Sequence, residues 1–454
     1  MLNIWKGTPH FLISACILLP SFSLNFWMEH RLIISGFPVS IPDIFVMYYA
    51  FYWAVKFVQD GSIRLGGKIG LLILLWFLYN LLFCSAKGFV EGNSIYAILQ
   101  EFRIVGYATI GYFATLRIFR AKKHLPVVMI SLIGSGLIVS IWQIGITVLG
   151  RGQSLNESVF MMGGAVARTL RDVTLPTYFA SSALVVLFAL KKHAFFILGK
   201  ARRWAWAFNI LFLTASILSM TRTVWLSLGL SLFFIFIYSF WTAFHSARFK
   251  NVFLLLIGSI AAGTLGYVAL LLFLPSTISA IELMIRYSDF YNDPSLLGRL
   301  NQPLALLDYL HVNGSLWTGI GFGNMWSGAK RIGIFSDIHN VYYSYLLIGG
   351  ILGLLIFLSI WISLMFVYIR LLLCPLNGIT KAYCIFCIIN WAVMTVLMYG
   401  MPPHWSEAAL LGMTLAISTV LAANSKNFLD EGKVPSQGRK LHLRKVNVVS
   451  TPHV

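Results

Sequence analysis

Charged side chains are scarce in this sequence. Only 11% of its 454 residues are Asp, Glu, Lys or Arg, whereas 58% are hydrophobic and 15% are aromatic. Because soluble globular proteins average about 25% charged residues, this composition excludes an ordinary soluble protein. Apolar runs long enough to cross a bilayer, about 20 residues each, recur to about position 423. The sequence therefore predicts a polytopic membrane protein.

Features of several other protein classes are also missing. The five cysteines stand in apolar runs or beside basic loops, so no disulfide framework is indicated. Cys384 and Cys387 form a C-x-x-C inside an apolar run, where ordinary packing is the expected role. No H-E-x-x-H or similar metal-ligand spacing occurs. We therefore expect neither a metal nor another cofactor.

The distribution of basic residues indicates what surrounds the chain. The formal net charge is +19, yet the basic residues form short clusters between apolar runs instead of a continuous stripe. A stripe is what a phosphate backbone requires, so nucleic acid is not an expected partner. Membrane lipids are the expected surroundings.

The predicted fold class is all-α, with about twelve transmembrane helices. They are expected near residues 9–28, 42–58, 69–86, 99–119, 126–149, 174–190, 204–220, 223–244, 252–275, 340–370, 382–400 and 407–423. The first run lacks an A-x-A-like cleavage site and is interpreted as a membrane helix. Residues 1–423 then form one transmembrane domain, and residues 424–454 form a basic tail.

Lysine and arginine concentrate in alternate loops. One set of loops contains 23 of these residues and the opposite set contains 10. The positive-inside rule then predicts that both termini are cytoplasmic. One long loop, about residues 276–339, falls on the outer face, and helical spacing over Leu300 to Leu310 predicts a short helix there.

Arginines on the predicted outer side are candidate anion ligands. They are Arg168, Arg171, Arg222, Arg286 and Arg299. The planar guanidinium meets phosphate oxygens in a bidentate manner, so several converging arginines could hold a diphosphate without a metal. Simpler roles also fit two of them: Arg222 could extend to the membrane interface, and Arg171 could pair with the adjacent Asp172.

His339 is the strongest candidate for acid–base chemistry. It precedes Asn340 at the start of the tenth predicted helix, and Tyr342 and Tyr343 follow closely. The positive end of the helix dipole would disfavour the imidazolium and keep the ring neutral. A neutral imidazole can act as a general base, although a lone histidine can also be a packing or capping residue.

The glycine-rich GIGFG sequence of residues 319–323 suggests a nucleotide loop, but no βαβ unit surrounds it. Gly319, Gly321 and Gly323 are instead expected to allow tight turns beside a neighbouring helix or a ligand. Glu101 and Arg103 lie two residues apart in a predicted helix. They face different directions and are expected to pair with other helices.

The order of several motifs resembles that of the O-antigen ligase and O-antigen polymerase superfamily. It runs from RTLRDVTLPTYFA through SMTRT and GRLNQPLALLDYL to TGIGFG and then DIHNVYYSYLLIGGILG. The resemblance is most specific over about residues 295–353. One departure is IGGILG, which lacks an acidic residue that often precedes these glycines in the family.

The resemblance implies a metal-independent glycosyltransferase of the bacterial inner membrane, acting at its periplasmic face. The donor would be a glycan linked through diphosphate to undecaprenol, and the acceptor would be a sugar hydroxyl. Arg222 and Arg299 would neutralise the diphosphate leaving group, and His339 would deprotonate or orient the acceptor. Arg168, Arg171, Arg286, Asn340, Tyr342 and Tyr343 are the further expected substrate-binding residues.

The resemblance leaves the acceptor open. A polymerase transfers the glycan to another lipid-linked repeat unit, whereas a ligase transfers it to lipid A-core; polymerase of O-antigen or exopolysaccharide is the preferred interpretation. A transporter of lipid or sugar is a third hypothesis, because the chain has many membrane helices. It is disfavoured because no internal repeat is evident and few ionisable residues lie deep in the predicted helices.

Overall fold

A computed structural model shows a bundle of helices. It describes residues 32–34, 37–39, 41–61, 64–119, 121–148, 180–184, 186–187, 198–218, 294–324, 340–373, 378–400 and 405–423, with isolated helical positions between 225 and 272. Nearly all of these residues are helical, which confirms the all-α class. The predicted helix at 9–28, most of the one at 252–275 and the tail at 424–454 lie outside the described residues, and the number twelve stays a prediction.

The helices are labelled in chain order. They are α1 (Ile41–Asp60), α2 (Lys68–Val90), α3 (Ile95–Ile118), α4 (Ala121–Val148), α5 (Ala205–Leu218), α6 (Pro294–Val312), α7 (Val341–Leu373), α8 (Gly378–Gly400) and α9 (Trp405–Ala423). A 3₁₀ helix, Gly199–Trp204, leads into α5. Most of these ranges fall within a few residues of the apolar runs that predicted them.

Four segments in the described part of the chain are long and apolar enough to cross a membrane. They are Lys68–Val90, His124–Gly145, Val341–Leu373 and Ile379–Val396. Large apolar side chains on these helices are exposed, including Leu82, Leu355 and Phe366. Contiguous exposed apolar faces of this kind are costly in water and favourable against lipid. The described helices therefore support a membrane protein.

A short β-hairpin departs from the purely helical prediction. Strand β1 (Leu32–Ile34) pairs antiparallel with β2 (Phe37–Val39), with Leu32 opposite Val39. Pro38 lies in β2. Proline has no backbone N–H, and it is tolerated in an edge strand where that position would face away from the paired strand. Ile33, Ile34 and Val39 are β-branched, which favours extended backbone in these two strands.

The helix predicted within the long loop is present and is longer than expected. It begins at Pro294 and ends at Val312. Leu306 and Leu310 are buried against Leu346 and Leu347 of α7. The long loop is therefore tied to the helix that follows it.

Small and sulfur-containing side chains allow close helix packing in the rest of the bundle. A Cβ atom at Gly412 of α9 would collide with the Ala108 carbonyl of α3, so the two helices approach closely. Cys384 and Cys387 are buried in α8 and form no disulfide. Their burial agrees with the packing role expected for the C-x-x-C.

Candidate functional site

A glycine loop, residues 315–324, lies between α2, α3 and α7 and links the long loop to the helix bundle. Ile320 N donates to Leu347 O at 2.8 Å, and Gly321 N donates to Ile348 O at 2.9 Å. Phe322 N donates to Cys84 O of α2 at 3.0 Å. Three consecutive amides are thus bonded to carbonyls of two different helices. The backbone of the loop therefore joins these two helices by hydrogen bonds.

Helix α7 is broken where the glycine loop meets it. Gly350 has φ 63° and ψ −162°, which no residue in an α-helix adopts. The break frees carbonyls before it and amides after it. Leu347 O and Ile348 O accept from the glycine loop, while Ile351 N donates to Leu316 O and Leu352 N to Trp317 O. The loop therefore satisfies both halves of the broken helix.

Helix α2 has a complementary irregularity. Tyr79–Cys84 forms a π-helical turn, and such turns release backbone carbonyls from the regular ladder. Cys84 O accepts from the glycine loop, and the Tyr79 hydroxyl donates to Gly349 O at 2.8 Å. Burial inside protein is the condition under which irregular backbone is tolerated at membrane depth. The glycine loop, the break in α7 and the π-helical turn of α2 thus supply hydrogen-bond partners for one another's backbone groups.

The glycines allow these close approaches, as the sequence predicts. Gly319, Gly321 and Gly323 all have positive φ, at 69°, 80° and 87°. A Cβ at Gly319 would collide with the backbone of Ile348, and one at Gly321 with the backbone of Gly88. The expectation of tight turns beside a neighbouring helix is confirmed.

Two side chains of α3 and its preceding turn hold the end of the loop. Glu101 Oε2 accepts from Gly323 N at 2.8 Å, and Asn93 Nδ2 donates to Phe322 O at 2.9 Å. Arg103 lies 3.7 Å from Asp43 Oδ1 of α1. The expected pairing with another helix is therefore confirmed for Arg103, whereas Glu101 bonds to the glycine loop instead of a helix.

The first turn of α7 shows what its polar residues do. Asn340 is buried, and its Oδ1 accepts from Tyr342 N and Tyr343 N, so it is the N-cap of the helix. The Tyr342 hydroxyl donates to Thr395 O of α8 at 3.0 Å. The Tyr343 ring packs beside the α6–α7 contact, and its hydroxyl bonds to nothing in the described structure. The Tyr343 hydroxyl is therefore available to a ligand.

The structure describes the backbone or side chains of four predicted site residues, and the other predicted site residues lie outside the described part of the chain. Arg299 lies on α6, for which the backbone is described at that position. Asn340, Tyr342 and Tyr343 lie where α7 begins. The remaining predicted residues lie outside the described residues: Arg168, Arg171, Arg222, Arg286 and His339. Lys330 and Arg331 lie there as well.

One polar pair at the glycine loop was missed by sequence reasoning. Lys87 Nζ donates to Thr318 Oγ1 at 2.9 Å across 231 residues of chain. Lys87 is one of the ten basic residues in the loops predicted to be on the outer side, but nothing local in the sequence connects it with Thr318. The signal available in the sequence was the threonine directly before GIGFG, which places a hydroxyl at the loop's first turn.

Comparison with models of known protein families gives no match, and comparison with curated proteins gives none either. Within the described residues, no group of three or more His, Cys, Asp or Glu side chains is arranged to hold a metal ion.

Proposed function

We propose that this protein is a metal-independent glycosyltransferase of the bacterial inner membrane. It transfers a glycan from undecaprenyl diphosphate to a sugar hydroxyl at the periplasmic face. Polymerisation of O-antigen or exopolysaccharide is the preferred reaction, and ligation of the glycan to lipid A-core is the alternative. The family resemblance of residues 295–353 supplies this hypothesis.

The observation that supports the proposal most is the docking of α6 on α7. Leu306, Leu310, Leu346 and Leu347 form one buried cluster with Ile320 of the glycine loop. Arg299 stands on α6 two turns before Leu306, and His339 is adjacent to the N-cap of α7. Arg299 thus lies on a helix that packs against α7, and His339 comes directly before the N-cap residue of α7 in the sequence.

The proposed reaction assigns a role to each residue. The acceptor oxygen forms a bond to the anomeric carbon, and the bond from that carbon to the diphosphate oxygen breaks. Arg222 and Arg299 stabilise the negative charge on the departing undecaprenyl diphosphate, because charge-assisted bonds to phosphate are strong. His339 takes the hydroxyl proton of the acceptor. Tyr343 and the remaining outer arginines contact the substrate.

Replacing Arg299 or His339 with alanine tests the proposal in cells that depend on this protein for polysaccharide. Both variants are expected to lose long-chain polysaccharide while the protein stays in the membrane fraction. Lys200→Ala is the matched control, since Lys200 is an exposed cation on the predicted cytoplasmic side. Normal chain length in both site variants would refute the proposal.

The broken helix α7 also resembles a feature of transporters, in which free half-helix ends bind substrates or ions. Here the amides of Ile351 and Leu352 are bonded to carbonyls of the glycine loop. The start of the second half-helix is therefore occupied by protein. This observation favours the enzyme over the transporter.

A further inference from the structure

Lys87 is a half-buried cation whose polar partner in the described structure is a neutral hydroxyl. Its Nζ donates to Thr318 Oγ1 at 2.9 Å. The ion pair seen among the described residues joins Arg103 to Asp43, and no described carboxylate lies within 4.0 Å of the Lys87 ammonium. A partly desolvated ammonium without a counter-ion is unfavourable. The position therefore favours an anion.

Thr318 makes this position suited to a phosphate. Its oxygen accepts from Lys87, so its own proton remains available to donate. The ammonium and the hydroxyl can thus each donate to an oxygen of the same phosphate group. The turn that carries Thr318 is held on both sides, because Gly319 N donates to Ser315 O and Leu352 N to Trp317 O.

A structural role for Lys87 is the simpler alternative. Lysine in the last turn of a helix interacts favourably with the negative end of the helix dipole. Lys87 does lie in such a turn, but its ammonium donates to the glycine loop and not to a carbonyl of its own helix. Trp317, next to Thr318, is 62% exposed. Exposed tryptophans of membrane proteins favour the depth of the lipid headgroups, where phosphates lie.

We propose that Lys87 and Thr318 form a phosphate-binding pair for the diphosphate of the carrier lipid. The inference rests on the proposed function for the identity of that lipid. A headgroup phosphate of a bulk anionic lipid such as phosphatidylglycerol has the same chemistry, so the test must separate the two sources. The pair adds a fixed donor set at the glycine loop to the arginines of the proposed function.

The test measures lipid binding by the purified full-length protein in neutral detergent. The two probes are undecaprenyl diphosphate without a glycan and phosphatidylglycerol. Lys87→Met and Thr318→Val are each expected to weaken binding of undecaprenyl diphosphate by about tenfold or more, because each removes a donor to a charged group. Lys87→Arg and Thr318→Ser keep the donors and should retain most of the affinity.

Lys68→Met is the matched control, because Lys68 is an exposed lysine at the other end of α2. Binding by Lys87→Met and Thr318→Val that equals binding by this control would overturn the inference. So would a loss confined to phosphatidylglycerol. If Lys87→Met does not accumulate in the membrane, Thr318→Val decides alone, since valine keeps the shape of threonine.

The same samples separate this inference from the proposed function. Weakened binding in both variants, together with a wild-type protein that transfers no glycan, supports the pair and refutes the glycosyltransferase. Glycan transfer by the wild type, together with unchanged binding in both variants, refutes the pair and leaves the glycosyltransferase standing.

Discussion

At the scale of single residues, two glycines with similar backbone conformations differ in the space available for a side chain. Gly321 has φ 80° and no room for a Cβ, because Gly88 lies against it. Gly92 has φ 79° and open space around it. A left-handed conformation costs an L-residue about 1–2 kcal/mol, and this cost is common to both sites. The collision is specific to Gly321.

We expect Gly321→Ala to destabilise the protein by clearly more than Gly92→Ala. Gly92→Ala should cost about 1 kcal/mol for backbone strain, while Gly321→Ala adds displacement of the loop from α2. Thermal unfolding of the two variants in detergent measures the difference. Equal unfolding temperatures would mean that the close approach contributes nothing to stability.

The two tyrosines of the first turn of α7 give a second matched pair. Tyr342→Phe removes a hydrogen bond to Thr395 and should lower stability by about 1 kcal/mol with little effect on turnover. Tyr343→Phe removes a hydroxyl that bonds to nothing in the described structure, so it should leave stability unchanged and raise KM for the glycan substrate. Unfolding temperature and steady-state kinetics of both variants check this. The opposite pattern would remove Tyr343 from the site.

At the scale of elements, the broken helix and the glycine loop should form one unit. Gly350→Ala places a Cβ against the Trp317 backbone, whereas Gly353→Ala meets the Tyr79 ring at 3.3 Å, which a small shift relieves. We expect Gly350→Ala to raise hydrogen exchange at Ile320 and Gly321, and Gly353→Ala to leave it near the wild-type rate. Mass spectrometry of exchanged peptides reads this directly. Unchanged protection in Gly350→Ala would show that the loop docks independently of the break.

The sequence predicted the elements better than their irregularities. Long apolar runs located most helices because the membrane requires about 20 apolar residues per span. The break at Gly350 was missed, since IGGILG is apolar throughout and the bonds that stabilise the break join residues 27 or 35 positions apart, on α7 and in the glycine loop. The π-turn at Tyr79–Cys84 likewise has no local signal, because its freed carbonyl is satisfied by Phe322.

The candidate site was predictable only in part. The positive charge on the predicted outer side indicated Arg299 as a site residue, and the predicted start of a helix indicated Asn340 and Tyr343. The sequence does not show that the side-chain carbonyl of Asn340 accepts a hydrogen bond as the N-cap of α7. Nor does it show the Lys87–Thr318 pair, because two distant segments must fold together before those side chains meet.

At the scale of the whole molecule, the orientation in the membrane is testable. The charge distribution predicts that Asn313, exposed beside the glycine loop, lies on the outer side of the membrane and that Arg202, in the 3₁₀ helix before α5, lies on the cytoplasmic side. A membrane-impermeant maleimide should label Asn313→Cys in cells with a permeable outer membrane. It should label Arg202→Cys only after lysis. Reversed labelling would place the proposed site on the wrong side of the membrane for its substrate.

The most direct test of the central claim is glycan transfer by the purified protein in lipid nanodiscs. The donor is a labelled glycan on undecaprenyl diphosphate, and EDTA is present throughout. We expect the wild-type protein to form longer glycan and release undecaprenyl diphosphate, and we expect Arg299→Ala and His339→Ala to form neither product. Transfer that requires a divalent metal, or transfer that both variants perform at the wild-type rate, would contradict the account.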